Sequence, residues 1–95
     1  LSSPHEMAQV IFLTLMDNAE FMYQKCEYDR AINNFSLALD LKPGDKHCLL
    51  GRSRCYRMVG KLLKAVSDAK ASLKEDKAFC SVKVLVGSVN PINIK

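Results

Sequence analysis

Residues 28–45 read YDRAINNFSLALDLKPGD, and this stretch decides the fold. Ala31, Phe35 and Ala38 stand at i, i+4 and i+7, with Ile32 and Leu39 beside them. That spacing draws one apolar stripe along an α-helix. Two members of the stripe are alanines, so a second helix can approach closely. Leu41 closes the stripe. Lys42 precedes Pro43, which disfavours helical backbone in the residue before it. Gly44 permits a turn, and Asp45 can cap a following helix with its carboxylate. The stretch predicts a helix over Tyr28–Leu41, a tight stop, and the start of another helix.

The same grammar returns 34 residues away. Leu15 maps onto Leu49, Ala19 onto Ser53, Met22 onto Tyr56 and Tyr28 onto Leu62. Ala31 maps onto Ala65, Ile32 onto Val66, Ala38 onto Ser72 and Leu39 onto Leu73. Size class survives at almost every pair although few are identical. In period, the sequence resembles the tetratricopeptide repeat family. That family's pattern runs bulky, large, small, aromatic, then small, aromatic, small and proline. The first unit reads Leu15, Asn18, Ala19, Met22, Ala31, Phe35, Ala38 and Pro43. The second reads Leu49, Arg52, Ser53, Tyr56, Ala65, Ala69, Ser72 and Lys77, with Asn18, Arg52 and Lys77 departing from the pattern. The resemblance implies an all-α fold: two helix-turn-helix tetratricopeptide repeats, a fragment of a right-handed α-solenoid, plus a partial terminal helix. Residues 1–79 then form the array, with repeat one over about 12–45 and repeat two over about 46–79. Residues 80–95 are expected to be an aberrant or truncated start of a third repeat and a disordered tail.

The remaining elements follow from local signals. Ser3-Pro4-His5-Glu6 has the form of a capping box with proline at the first helical position. It predicts a helix from Pro4 to about Lys25, whose surplus, Pro4 to Phe12, is an amphipathic lead-in able to cover an open end. A third helix is expected over Lys46–Val59 and a fourth over Leu62–Glu75. Gly60 suits a left-handed helix stop. Cys26 holds the same place in the first unit, where a non-glycine is strained if it adopts that conformation. A last helix is expected over Lys77 to about Val86, presenting Phe79, Val82 and Val86. Gly87-Ser88-Val89-Asn90-Pro91 breaks it.

Ninety-five residues make one small domain. A chain this short buries little of its surface, and two repeats are fewer than such arrays normally need. The start at Leu1 and the missing third unit lead us to expect a fragment of a longer protein. The net charge of +4 conceals an asymmetry. Residues 1–41 hold six acids against two bases, whereas residues 42–77 hold ten bases against four acids. That arrangement suits neighbour-to-neighbour stacking or an acidic partner, or simply two solvated faces. Four cysteines contain no C-x-x-C. Cys48 and Cys55, at i and i+7, would lie ~10.5 Å apart on one helix. That is beyond disulfide reach. Reduced thiols acting as small apolar packing residues, in a cytoplasmic setting, are the expectation. His47 and Cys48 lack further ligands at zinc spacing, so neither metal nor cofactor is expected. The apolar run Ala8–Met16 is far shorter than a membrane span.

Chemistry-bearing patterns are missing: no G-x-S-x-G, no phosphate loop, no dinucleotide fingerprint and no H-E-x-x-H. His5 and His47 read as surface or capping residues, and Asp68 and Asp76 as members of a solvated face. No residues are proposed as catalytic, no small-molecule substrate is implied, and the chain reads as a non-enzyme. Nucleic-acid binding is disfavoured, since the basic half lacks interleaved aromatics, Tyr56 being expected in the core. A binding role has more to stand on. In the tetratricopeptide family the first helix of each pair lines a concave groove. By resemblance the lining would be Met16, Glu20, Tyr23 and Gln24 from the first unit, and Leu50, Arg54, Arg57 and Met58 from the second. Arg54, Arg57 and Met58 share one helix face. Arginines beside a methionine suit an acidic helix or peptide with an apolar anchor. Members that clamp a terminal carboxylate use lysine and asparagine at groove places that hold Met16, Glu20 and Gly51 here, which speaks against that mode.

The run GDKHCLLGRSRCYRMVGKLLKAVSDAKASLKEDKAFC, residues 44–80, narrows the resemblance. With FSLALDLKPGD and AEFMYQKCEYDRAI before it, it resembles the tetratricopeptide family of outer dynein arm docking subunits. The likeness covers about Asp17 to Cys80 and stops at Leu1–Met16 and Ser81–Lys95. It implies a non-enzymatic scaffold that helps attach outer dynein arms to the ciliary axoneme, with other axonemal docking-complex subunits as partners. A generic tetratricopeptide adaptor for an acidic helix or peptide is the alternative.

Overall fold

The computed structural model describes residues 3–75, which form four α-helices and no strand. They are α1 (Pro4–Gln24), α2 (Tyr28–Leu41), α3 (Lys46–Met58) and α4 (Leu62–Glu75). The expected helix Lys77–Val86, the tail beyond it, Asp76 and Cys80 lie outside the described residues. Helix α1 pairs with α2 and α3 with α4, while α2 stacks on α3 and joins the two pairs. The units share a 34-residue register: Gln24 and Met58 end their first helices, and Tyr28 and Leu62 start their second. This is an all-α helical repeat.

Local chemistry accounts for each boundary. Ser3 Oγ accepts from the Glu6 N–H at 3.1 Å, and Glu6 Oε1 accepts from the Ser3 N–H at 3.0 Å, completing the capping box. Asp45 Oδ2 accepts from the Cys48 N–H at 3.0 Å and opens α3. Helices α1 and α3 each stop one residue short of the expected ends, because Lys25 and Val59 are C-caps with ψ near zero. Both stops are built alike. The Cys26 N–H donates to the Tyr23 carbonyl and the Glu27 N–H to that of Met22. Gly60 and Lys61 repeat this on Arg57 and Tyr56. Each set is a Schellman motif, which needs a left-handed residue. Gly60 supplies it at φ 82° and Cys26 at φ 63°.

Glycine adopts that conformation without penalty, whereas a side chain there costs ~1–2 kcal/mol. The extra flexibility of glycine in the unfolded chain returns ~0.5–1 kcal/mol of this. Cys26→Gly should therefore raise stability by about 0.5–1 kcal/mol, read as a higher midpoint in chemical denaturation. A lower midpoint would show that the Cys26 side chain has a structural use that outweighs its strain.

The core runs through both interfaces. Phe12, Ala19, Ala31, Phe35, Ala38, Leu39, Cys48, Leu49 and Cys55 form one buried cluster. Small residues are buried within both pairs: Ala19 and Ala31 in the first, and Ala65, met by Ser53, in the second. Ser53 Oγ donates to the Ala65 carbonyl at 2.7 Å across the α3–α4 crossing. Between the pairs, Gly51 lies under the Phe35 ring, and a Cβ built on Gly51 would come within 2.5 Å of Phe35 Cζ.

Several expectations need correcting. The lead-in of α1 covers nothing among the described residues: Met7, Val10 and Ile11 are about half exposed. Only Phe12, at the end of that stretch, enters the core, with Lys42 Nζ 4.4 Å from its ring centroid. Cys48 and Cys55 are buried as packing residues, but Cys26 is exposed, since a helix stop projects it outward. Asp68 is not on a solvated face. It is buried and accepts two hydrogen bonds from Arg52, at 2.7 and 2.8 Å. Tyr56 is half-buried rather than core, with Arg52 and Lys64 each 5.7 Å from its ring centroid.

Candidate protein-binding groove

Helices α1 and α3 lie side by side as the first members of their units, in direct contact with each other and both packed on α2. Between them opens a groove of about 510 Å³ lined by Met16, Glu20, Leu50, Arg54 and Arg57, together with His47, Ser53 and Ala69. Met16 and Leu50 are 34 residues apart and hold equivalent places; so do Glu20 and Arg54. The repeat therefore sets an apolar pair beside a charged pair. Leu50 is 41% exposed, an apolar surface open to a ligand.

Arg54 Nη2 lies 3.1 Å from Glu20 Oε2, an ion pair that joins the first unit to the second. Both side chains are nearly half exposed, so the pair contributes ~0–1 kcal/mol. The Arg54 guanidinium also stands 5.1 Å from the Tyr23 ring centroid. Cation–π attraction at such an exposed site adds ~0.5–1 kcal/mol. Tyr23 is in turn fixed edge-to-face on Tyr28, with ring centroids 5.6 Å apart. Tyr28 titrates above its ordinary range, chiefly through a hydrogen bond with the Cys26 thiol. Arg54 is thus committed within the chain. Arg57 is exposed at the rim and has no ion pair among the described residues.

Of the residues expected in the groove, Glu20, Leu50, Arg54 and Arg57 line it, with Met16. Tyr23 stands behind Arg54 rather than on the lining. Gln24 and Met58 are the last residues of α1 and α3; both are exposed and neither lines the groove. Gly51 is not on the groove wall but in the α2–α3 interface. The sequence reading missed His47, Ser53 and Ala69. His47 precedes Leu50 by three residues and so shares its helix face. Ala69 arrives from α4, which the small Ser53 lets approach.

The thiols near this surface are not poised for nucleophilic work. Burial pushes Cys55 up to about 11, with Arg54 opposing and Glu20 reinforcing the rise. Burial, then the Asp45 carboxylate, pushes Cys48 up to about 12. Each stays a neutral thiol near pH 7, and a thiol is a poor nucleophile. Among the described residues no three potential ligands cluster to hold a metal ion, and no helix is long and apolar enough to cross a membrane. The groove sets the apolar side chains of Met16 and Leu50 beside the Glu20–Arg54 ion pair and the exposed Arg57.

The chain is similar to outer dynein arm-docking complex subunit 4 of Mus musculus, 41% identical over 78 residues. That match covers 82% of this chain and 12% of the mouse protein. The Homo sapiens protein of the same name is 41% identical over 81 residues, 84% of this chain and 12% of its own length. The Xenopus laevis protein is 41% identical over 71 residues, 75% of this chain and 13% of its own length. The chain thus spans about an eighth of the length of these relatives. No family model matches it, and no solved structure matches it.

Proposed function

We propose that this chain is a non-enzymatic protein-interaction scaffold made of tetratricopeptide repeats, one over about 12–45 and the next over about 46–79. It works as part of a subunit that docks outer dynein arms on the ciliary axoneme. The relatives' name supports the docking role, and the 34-residue helical register supports the repeat type. The observation that carries the binding mode is the groove: a Met16–Leu50 floor with Arg57 at its rim. Such a surface takes an amphipathic acidic helix or peptide, with an apolar anchor on the floor and a carboxylate against Arg57. Partners of that chemistry are sought among the other axonemal docking-complex subunits.

The test is titration calorimetry of the chain against those purified subunits, at low and moderate salt. Arg57→Glu should weaken binding tenfold or more and flatten its salt dependence. Leu50→Asp should weaken it comparably at all salt concentrations. Both residues are exposed, so stability should move by less than ~1 kcal/mol. Binding unchanged by either substitution would move the partner's site away from this groove.

A further inference from the structure

The face that α2 turns to α3 recurs on α4, where the described residues leave it open. On α2, Ile32, Phe35 and Leu39 belong to or pack against the core cluster. Thirty-four residues on stand Val66, Ala69 and Leu73, of which Val66 is 50% and Leu73 63% exposed. At the other end of the array, α1 carries the equivalent of the face that α3 turns to α2. Cys48, Gly51 and Cys55 there become Thr14, Asp17 and Phe21, all three exposed.

The two open faces place size and charge differently from the internal interface. In the internal interface a large residue, Phe35, fills the space above a bare Gly51. On the open faces the sizes are exchanged: α4 offers Ala69 and α1 offers Asp17. The charged partner also changes side. Internally, Arg52 of α3 donates to Ser36 of α2 at 2.9 Å. The place of Ser36 on α4 is taken by Lys70, and that of Arg52 on α1 by Asn18, next to Asp17. Neither Lys70 nor Asp17 has an ion pair among the described residues. The first unit is acidic and the second basic, so long-range attraction favours bringing unlike ends together.

We propose that α4 of one copy docks on α1 of a second copy of this chain, head to tail, in the register in which α2 packs on α3. Val66 and Leu73 are then covered by the helix bearing Phe21, and Lys70 comes against Asn18, from where its long side chain turns to the neighbouring Asp17. Such contact is heterologous, so each copy keeps one free face of each kind and chains of copies grow with concentration.

Sedimentation equilibrium of the 95-residue chain over a concentration series tests this, with circular dichroism as the check on folding. The unaltered chain should gain mass with concentration, and less so at high salt. Phe21→Glu disables one face and Val66→Glu the other, and each alone should weaken association at least tenfold. Mixed together, the two variants should form dimers and nothing larger, because one good face remains on each. A second pair of substitutions leaves the apolar surface intact. Asp17→Lys and Lys70→Glu should each weaken association at least fivefold, and the two combined in one chain should restore it. A mass that stays monomeric at every concentration overturns the proposal, including the case where residues 76–95 or a different protein occupy α4. So does a mixture that stays monomeric, a single-face variant that assembles like the unaltered chain, or a charge exchange that fails to restore association.

Discussion

Phe35→Ala should lower the stability of the folded chain by about 3–5 kcal/mol, the usual cost of emptying a buried aromatic site. Phe35 is 1% exposed, and its ring lies over Gly51 in the α2–α3 interface that joins the two helix pairs. The loss matters because a chain of this length has ~5–14 kcal/mol in total. The reverse change probes the same contact. Gly51→Ala puts a Cβ where Phe35 Cζ stands, 2.5 Å away, and overpacking of this kind costs ~1–3 kcal/mol. Exchanging a mid-helix glycine for alanine would otherwise stabilise by up to ~1 kcal/mol. The sign of the Gly51→Ala effect therefore reports the ring contact directly. In the Phe35→Leu background the penalty should shrink, because the smaller side chain vacates the space that the new methyl needs. Urea denaturation of the four proteins gives the coupling. A stabilised Gly51→Ala variant with intact Phe35 would mean that the ring does not occupy that position.

These two residues also show what could be read in advance. Phe35 was visible as a member of an apolar stripe, because helical periodicity is a local property. Helix bounds, the Ser3–Glu6 box, the Asp45 cap and the Gly60 stop were visible for the same reason. The positions Met16, Glu20, Leu50, Arg54 and Arg57 are groove places only through the resemblance to the tetratricopeptide family, and the 34-residue register carries a place in one unit to its counterpart in the next. What was not visible depends on contacts between elements. Gly51 looked like a missing polar group on a groove wall; only the stacking of α2 on α3 shows that it makes room for an aromatic ring. Arg54 looked like a free cation until α1 brought Glu20 and Tyr23 to it. Asp68 looked solvated because carboxylates usually are, and nothing within its own helix betrays the arginine that reaches it from α3.

That arginine sets up the second large effect: Asp68→Ala should cost about 2–3 kcal/mol. Arg52 Nε and Nη2 donate to the two carboxylate oxygens of Asp68, and Nη1 donates to Ser36 Oγ at 2.9 Å. One guanidinium thus ties α3 to both α4 and α2. The Asp68 side chain is 9% exposed and that of Arg52 22%, so water reaches the pair poorly. The Asp68 hydrogen bonds raise the Arg52 pKa further above its ordinary value, so the cation persists at any working pH. Removing the carboxylate strands that cation, and hydrogen bonds to charged groups contribute ~1.5–3 kcal/mol. The desolvated charge left behind adds to the loss, while the part of Arg52 still in contact with water limits it. Asp68→Asn keeps shape and one acceptor and should cost less than alanine. Arg52→Met with Asp68→Leu removes both charges at similar volume and should recover most of the loss, since a paired charge gains little over apolar packing. A double-mutant cycle by thermal and urea denaturation separates the terms. If Asp68→Ala melts with the parent chain, Arg52 is satisfied by Ser36 and water alone. The second helix pair is then held by its crossing at Ser53 and Ala65 without help from the ion pair.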